Sequence, residues 1–361
     1  ASQVRRLVHE HGTRAWTTVA QHLPGRTGKQ CRERWHNHLD HDIRKDPWSA
    51  EEDDTIRACV QQMGMRWRLI APLLPGRSDD SVRNRWKRLV AEQSNQVADG
   101  LAIGYAGHVS IAVGLERALA AGQATIDHLD GYAQVLVPAD SPARRKEPGF
   151  FGFNIASAME VERVDEWAAR TAEAGVWNVP TQTLIENIAV NDVDALLQRP
   201  AMRWVPAETK AQWMARIEQM RASADGDALA HFVTVRRALI KALHEAGAGI
   251  LLGADAPQIM NVPGDALHHE LEIYVEAGLS PAEALATGTK NVSDFLGQSA
   301  QGCLRPGCVA DLVLLAADPL EDISSVRRIR GVMRGGEWFD RERLDAMLSE
   351  VEARADPTGP D

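Results

Sequence analysis

An internal repeat constrains the N-terminal quarter of this 361-residue chain more than any other feature. The segment Ala15–Trp35 matches the segment Arg66–Trp86 at a constant offset of 51, so that tryptophans and two Leu-Pro-Gly-Arg turns coincide. In each copy the Pro-Gly turn precedes Thr27 or Ser78, which are favoured helix N-caps. The repeat therefore predicts two three-helix units whose last two helices form a helix-turn-helix.

Tryptophan supplies the core that such small units need. Five of the ten tryptophans fall in the first 90 residues, and a unit of about 50 residues buries little apolar surface without large rings. Cys31 occupies the place that Val82 takes in the second copy, which favours a core thiol over a metal ligand. The nearby His36 and His38 diverge on a helix. We expect a structural core that includes Trp16, Cys31, Trp35, Trp48, Trp67 and Trp86.

The opposite side of each third helix carries Lys, Arg, Asn and Glu, which are residue types that read base edges in the major groove of DNA. The tryptophan spacing, the stretch "GRTGKQCRERWHNHLD" and the acidic opening "WSAEEDD" of the second copy resemble the tandem Myb repeat over residues 1–92. The resemblance implies sequence-specific binding to double-stranded DNA. The side chains that it implies for this contact are Lys29, Arg32, Glu33, Asn37, Arg83, Asn84 and Lys87. A SANT-like protein-interaction module is the alternative.

The charge distribution also separates the N-terminal part from the rest. Residues 1–95 carry 17 basic and 12 acidic side chains, whereas the remainder carries 23 and 38. A basic part joined to an acidic part predicts two domains with different partners, the first a polyanion. The side chains expected to meet phosphates or acidic partners are Arg26, Arg34, Arg77 and Arg85. The first copy lacks the opening tryptophan and acids, so we expect an N-terminally truncated repeat at 1–43, a complete one at 44–92, and a linker or fusion seam at 93–99.

Beyond residue 100, short apolar strands alternate with amphipathic helices, which predicts a parallel βα architecture. The strands are "LAIGYAGH", "ATIDH" and "GILLGADAP", and "DALAHFVTVRRALIKALHEAG" is a helix. In such sheets the chemistry lies at the carboxyl ends of the strands, where this sequence has His108, His128 and Asp255. Two imidazoles and a carboxylate suit a zinc-like ion, whereas an isolated histidine at a strand end is more often structural.

These segments, with "HHELEIYVEAGLSPAEALATGTKNVSDFLG" and "GCLRPGCVADLVLLAADPLEDI", resemble the C-terminal half of a metal-dependent amidohydrolase of the imidazolonepropionase-like group, over about residues 100–340. The resemblance implies that His108 and His128 are metal ligands on barrel strands five and six. It implies that Asp255 is the strand-eight carboxylate that binds metal and takes a proton from the attacking water. His268 and His269 are expected on a solvated helix face, with a pocket position as the alternative.

Part of that family's ligand set has no counterpart here. The family carries His-x-His on strand one and a metal-bridging lysine on strand four. In this sequence His-x-His occurs only at His9–His11 and His36–His38, both in the helical repeats, and such a pair converges only on a strand. We therefore expect a partial TIM-type (β/α) barrel at 100–300, with two open strand edges that favour self-association. A small β-domain remnant at 301–340 and a C-terminal helix and tail at 341–361 would follow.

The whole sequence predicts a chimeric multidomain protein, with all-α tandem Myb repeats followed by an α/β half-barrel. The expected activity is transcription-factor-like DNA binding, with an enzyme part that is inactive alone and holds a divalent metal, zinc by preference, only if its site is completed. The alternative is a metal-dependent hydrolase of amide, cyclic amide or ester bonds in a small molecule. We expect a nuclear location if the repeats dominate and a cytoplasmic one otherwise, no membrane span or secretion signal, and four free thiols.

Overall fold

The computed structural model of the protein divides into two units, Ala1–Ala102 and Ile103–Asp361. The residues that the structure describes are 2–13, 15–23, 27, 28, 30, 31, 35, 44, 46–79, 81–86, 89, 105–190, 192–221 and 226–356.

The first repeat packs around a small apolar cluster. Helices α1 (Ser2–His11) and α2 (Trp16–Gln21) are separated by Gly12, whose φ of 80° glycine adopts without a steric penalty. Trp16 and Trp35 pack against the cluster. Its buried members are Val4, Leu7, Val8, Val19, Leu23 and Cys31.

The second repeat buries the equivalent positions. It comprises α3 (Ala50–Met63), α4 (Trp67–Ile70), a 3-10 turn (Ala71–Leu73) and a third helical segment described at 79, 81–86 and 89. The tryptophans that pack against its core are Trp48, Trp67 and Trp86, and the buried residues are Ile56, Cys59, Ile70, Leu74, Val82 and Leu89. Cys31 and Val82, which correspond in the repeat, are both fully buried, so the sequence repeat is also a repeat of buried positions.

Arg77 ties the Leu-Pro-Gly-Arg turn of the second repeat to the start of α3. Ser49 and Glu52 form a capping box there. The Arg77 guanidinium donates from Nε and Nη2 to the two Glu52 carboxylate oxygens, at 2.8 and 2.9 Å. It also donates to the backbone carbonyl of Asp46 and lies 4.2 Å from the ring centroid of Trp48. One buried side chain therefore holds the turn, the capping box and a core tryptophan together.

The second unit contains a parallel sheet whose strands follow chain order. Strand β1 (Ala106–Gly107) pairs with β2 (Thr125–Asp127), which pairs with β3 (Trp177–Val179). The next segment, 249–255, was predicted as a full strand but contributes an isolated parallel bridge between Ile250 and Asn178. Because the pairing is parallel, the carboxyl ends of these segments lie side by side at one edge of the sheet.

Helices pack against this sheet and supply most of the core. The helix predicted from the pattern near 227–247 is present as the longest helix of the unit, Gly226–Glu245. In chain order the helices are α5 (Leu115–Ala120), α6 (Tyr132–Leu136), α7 (Val164–Glu173), α8 (Gln182–Ala189), α9 (Asp194–Leu197), α10 (Ala207–Arg221), α11 (Gly226–Glu245), α12 (Asp265–Ala277), α13 (Pro281–Thr287) and α14 (Lys290–Phe295). Among the helices in the described part of the chain, none is long and apolar enough to cross a membrane.

The edge at 249–252 is occupied by groups from α13 and α14. The Leu251 N–H donates to the Asn178 carbonyl, so the peptide groups of Ile250 and Leu252 point away from β3. The Leu252 N–H donates to the Thr287 carbonyl at 3.0 Å, and Asn291 Nδ2 donates to the Ile250 carbonyl at 2.9 Å. The expectation of an open edge is therefore wrong for these groups, and their turn toward the helices limits the segment to a bridge.

A second, antiparallel sheet follows. It contains β4 (Leu312–Leu315), β5 (Ile329–Arg334) and β6 (Glu337–Asp340), and α15 (Arg341–Ala355) comes after it. Val313, Leu314 and Trp338 are exposed on this sheet.

Two of the four cysteines are paired. Cys303 and Cys308 form a disulfide with their Cα atoms 6.0 Å apart, whereas Cys31 and Cys59 are free and buried. The expectation of four free thiols is therefore wrong. A turn at Gly307, whose φ is 95°, brings together two cysteines that are 5 positions apart and so do not form a Cys-x-x-Cys motif.

Candidate functional site

The third helical segment of the second repeat presents the first candidate site. Arg83 and Asn84 are exposed on it, while Val82 is fully buried. A helix with one side in the core and an Arg–Asn pair on the exposed side has the arrangement of a major-groove recognition helix. The other side chains that the sequence assigned to DNA contact lie outside the described residues, and they are Lys29, Arg32, Glu33, Asn37 and Lys87.

Two carboxylates of α3 are neutralised within the second repeat. Arg85 Nε donates to Asp53 Oδ1 at 2.7 Å, and Arg77 holds Glu52. The Arg77 hydrogen bond lowers the pKa of Glu52. Arg77 and Arg85 were expected to meet phosphates or acidic partners. The structure places carboxylates of the same repeat beside both arginines. This pairing reduces the negative charge that the repeat offers to a polyanion.

The second candidate site lies at the ends of the parallel strands. His108 follows β1, His128 follows β2 and Asp255 follows the bridge segment. The His108 and His128 ring centroids are 4.6 Å apart, and His128 Nε2 is 3.8 Å from Asp255 Oδ2. Both His128 and Asp255 have left-handed backbone, with φ of 58° and 53°, which is a strained conformation that clusters at functional sites. The three residues selected from sequence thus lie together.

His108 and Asp255 are the accessible members of the cluster. The His108 side chain is 69% exposed, and its Nδ1 lies 2.7 Å from Asp130 Oδ2. Gln258 donates to Asp255 Oδ2 from the loop that follows. Asp130 and Gln258 were not selected from the sequence, although each lies only two or three residues beyond a selected residue.

His128 is the buried member. Its Nδ1 lies 2.7 Å from Thr181 Oγ1, and Thr181 Oγ1 donates to the Pro180 carbonyl at 2.8 Å. Burial lowers the pKa of His128, and the negative charge of Asp255 opposes this effect. Thr181 was not selected from the sequence. Its position two residues after the end of β3 could have indicated it as a candidate site residue.

His268 and His269 do not lie on a solvated helix face, so that expectation is wrong. Both are half-buried on α12. His269 Nδ1 lies 3.1 Å from Glu272 Oε2, and Arg327 donates from Nε to Glu272 Oε1 at 2.7 Å. Burial, followed by the charge of Arg327, lowers the pKa of His268. Arg327 could not be predicted from the sequence, because it comes from a distant 3-10 segment (Ile323–Arg327).

The donor types of the strand-end cluster suit a divalent metal as part of a ligand set. His108 and His128 offer imidazole nitrogens and Asp255 offers a carboxylate oxygen, which are the donors that zinc takes in catalytic centres. Within the described ranges, however, no group of three or more His, Cys, Asp or Glu side chains is arranged to hold a metal ion. The cluster therefore has suitable chemistry without a complete centre.

Comparisons with known proteins divide the chain in the same way. The Myb-like DNA-binding domain matches residues 2–56 and 45–90. Myb-related protein A of Xenopus laevis is 49% identical over 94 residues, which are 26% of this chain and 13% of that protein. Myb-related protein B of Gallus gallus is 50% identical over 88 residues, which are 24% of this chain and 13% of that protein. The chain therefore spans a small part of the length of these curated relatives.

The C-terminal part matches a second family. The model of the Amidohydrolase family matches residues 145–339, which is more than half of the chain and includes Asp255. A solved structure named bottromycin amidohydrolase aligns at 22% identity with a TM-score of 0.52, over 74% of this chain and 56% of that one. This likeness shows the fold alone. The prediction of Myb domains followed by an amidohydrolase-like α/β fold is confirmed, and the chain belongs to the amidohydrolase family while carrying Myb-like DNA-binding domains at its N-terminus.

Proposed function

We propose that residues 1–92 bind double-stranded DNA in a sequence-specific, transcription-factor-like manner and that the chain acts in a nucleus. The observation that carries this proposal is the exposed Arg83–Asn84 pair on a helix whose other side is anchored by Val82. Arginine reads guanine and asparagine reads adenine through paired hydrogen bonds in the major groove. The corresponding helix of the first repeat would contribute Lys29, Glu33 and Asn37, with Arg32 beside them, and Lys87 would extend the second.

Substitution of Asn84 tests this proposal against a SANT-like protein-interaction module. A duplex is first selected from a random pool with the full chain. Asn84→Ala is then expected to weaken binding to that duplex by about 1–3 kcal/mol and to relax the preference at one base pair. Arg57→Ala is the matched control, because Arg57 lies on α3 and, among the described residues, pairs locally with Asp54. Selection that enriches no duplex supports the protein-interaction alternative instead.

We further propose that the strand-end cluster is the remaining part of a metal-dependent amidohydrolase centre. In this proposal β1, β2, β3 and the 249–252 segment correspond to barrel strands five to eight, and the antiparallel sheet is the small β-domain remnant. His108 and His128 would hold a divalent metal, zinc by preference, and Asp255 would bind it and accept a proton from the attacking water. When bound, such a metal lowers the pKa of water and polarises the scissile carbonyl.

This part is expected to be silent by itself. A hydrolase of amide, cyclic amide or ester bonds in a small molecule needs the family's His-x-His and lysine, which another chain docked at the β1 edge would have to supply. Metal content by elemental analysis, together with an amide and ester hydrolysis screen of the full chain, tests the proposal. Stoichiometric zinc with turnover in the isolated chain would favour the hydrolase as the principal function.

A further inference from the structure

Two buried side chains, an arginine and a glutamate, bracket the turn between β3 and α8. Arg236 on α11 donates to the His128 carbonyl at 2.8 Å, to the Pro180 carbonyl at 3.0 Å and to the Gln182 side chain at 2.8 Å. Glu270 on α12 accepts from the backbone N–H groups of Gln182 and Thr183, both at 2.7 Å, and from the Thr183 hydroxyl. The cation thus holds the carbonyl side of the turn and the carboxylate holds its amide side.

Stability alone is a poor explanation for this arrangement. Arg236 is 3% exposed and Glu270 is 0% exposed. Withdrawing charges from water is costly, and well-packed apolar side chains often serve a fold as well or better. Burial lowers the pKa of Arg236 to about 10, so it remains a cation at neutral pH. The feature that these groups hold in place is the turn that carries Thr181.

Thr181 links the turn to His128 through its hydroxyl group, which has one proton for two contacts. Its backbone φ is 48°, and its Oγ1 is 2.8 Å from the Pro180 carbonyl and 2.7 Å from His128 Nδ1. Because the carbonyl only accepts, the hydroxyl proton satisfies both contacts when it goes to Pro180 and His128 Nδ1–H donates to Oγ1. His128 Nε2 then carries a lone pair, 3.8 Å from Asp255 Oδ2. The opposite tautomer would place an Nε2–H beyond hydrogen-bonding distance of that carboxylate.

We propose that Thr181, held by the turn that Arg236 and Glu270 bracket, is a positioning residue that fixes His128 as its Nδ1–H tautomer. This proposal deepens the proposed function, and only the purpose of the tautomer rests on that function. A metal binds the deprotonated nitrogen of a histidine, and the hydrogen bond of the other nitrogen sets the orientation of the ring. The tautomer itself is a property of the metal-free chain.

Nitrogen-15 NMR of histidine-labelled, metal-free full chain at a pH above the imidazole titration tests the proposal directly. The His128 signal is assigned by its loss in His128→Gln. The expected wild-type pattern is Nδ1 protonated and Nε2 unprotonated. Thr181→Val is expected to abolish this preference, and Thr181→Ser is expected to restore it. Valine keeps the branched Cβ of threonine, so the left-handed backbone is no more strained in the variant.

Thr234→Val is the matched control, because Thr234 is exposed and donates within its own helix, to the Ala230 carbonyl. It should leave the His128 pattern unchanged. A wild-type chain with Nε2–H, or a folded Thr181→Val chain that keeps Nδ1–H, would overturn the proposal. Zinc titration distinguishes this proposal from the proposed function. If the wild type binds zinc, Thr181→Val should weaken that binding by about 10–100-fold. If the wild type binds no zinc, the proposed metal centre is contradicted, and the NMR result alone decides the tautomer.

Discussion

At the residue scale, Arg77 makes more polar contacts than any other side chain among the described residues of the second repeat. It is buried, it donates to both oxygens of Glu52 and to three backbone carbonyls, and it stacks on Trp48. Removal of one member of a buried ion pair leaves the other uncompensated, which costs more than the pair itself contributes.

We therefore expect Arg77→Met to destabilise the repeat by about 3 kcal/mol. Urea unfolding of the full chain, followed by tryptophan fluorescence, measures this. Arg57→Met is the control and should cost less than about 1 kcal/mol, because Arg57 is exposed and its ion pair in the described part of the repeat is with Asp54, three residues away. Equal losses for the two variants would contradict the assignment of Arg77 as the organising contact.

Glu272 should make the second unit sensitive to acid. Burial would raise its pKa, but hydrogen bonds from His269 and Arg327 outweigh that effect and lower the pKa to about 2 from an ordinary value of 4.5. An acid whose pKa falls on folding contributes stability above its ordinary pKa, and this contribution is lost as the pH drops through the folded value. Wild type should therefore exceed Glu272→Gln in stability at neutral pH, with the difference shrinking between pH 4.5 and about 2.

Denaturant unfolding at a series of pH values gives that difference. Glu350→Gln is the control, because Glu350 is an exposed partner of Arg354. A Glu272→Gln difference that stays constant from neutral pH down to pH 2 would show that the carboxylate charge contributes nothing.

Single residues were predictable where the repeat provided an internal comparison. Cys31 was placed in the core because Val82 occupies the corresponding position, and both are fully buried. Thr181 had no such comparison, because its importance comes from an Oγ1 contact with a residue 53 positions away. Sequence periodicity describes one element at a time, whereas that contact depends on how two strand ends are brought together.

At the element scale, α13 and α14 account for a strand edge that the sequence left open. Long amphipathic patterns were sufficient for α11, but the segment 249–252 reads as a strand and forms only a bridge. Its outward peptide groups bond to Thr287 and Asn291 instead of to another strand. Periodicity cannot reveal which partner a strand's peptide groups will find.

Asn291→Ala should uncover this edge. The Ile250 carbonyl loses its donor, so we expect a destabilisation of about 1–3 kcal/mol and more self-association. Urea unfolding and sedimentation velocity measure the two effects. Asn154→Ala is the control, since Asn154 makes an exposed hydrogen bond to the Glu147 carbonyl. A monomeric Asn291→Ala chain of unchanged stability would show that the side chain does not protect the edge.

At the scale of the whole molecule, the excess of basic side chains lies in the part that is proposed to bind DNA, and the excess of acidic ones lies in the rest of the chain. Glu52 and Asp53 are paired with arginines of the same repeat, so part of the negative charge of α3 is neutralised within the repeat. The family assignments were predictable because their motifs are local in sequence, but the completeness of the hydrolase centre depends on side chains from many segments.

DNA binding by the N-terminal repeats is the main proposal for this chain, and the salt dependence of binding is its sharpest test. Fluorescence anisotropy of a labelled selected duplex is measured against the full chain between about 50 and about 200 mM salt, where phosphate contacts predict at least a roughly tenfold loss of affinity. An Arg83→Ala, Asn84→Ala double variant should lose its preference for that duplex and retain weaker, salt-dependent binding. Absence of binding by the wild type at the lowest salt, or identical preference in the double variant, would contradict the claim.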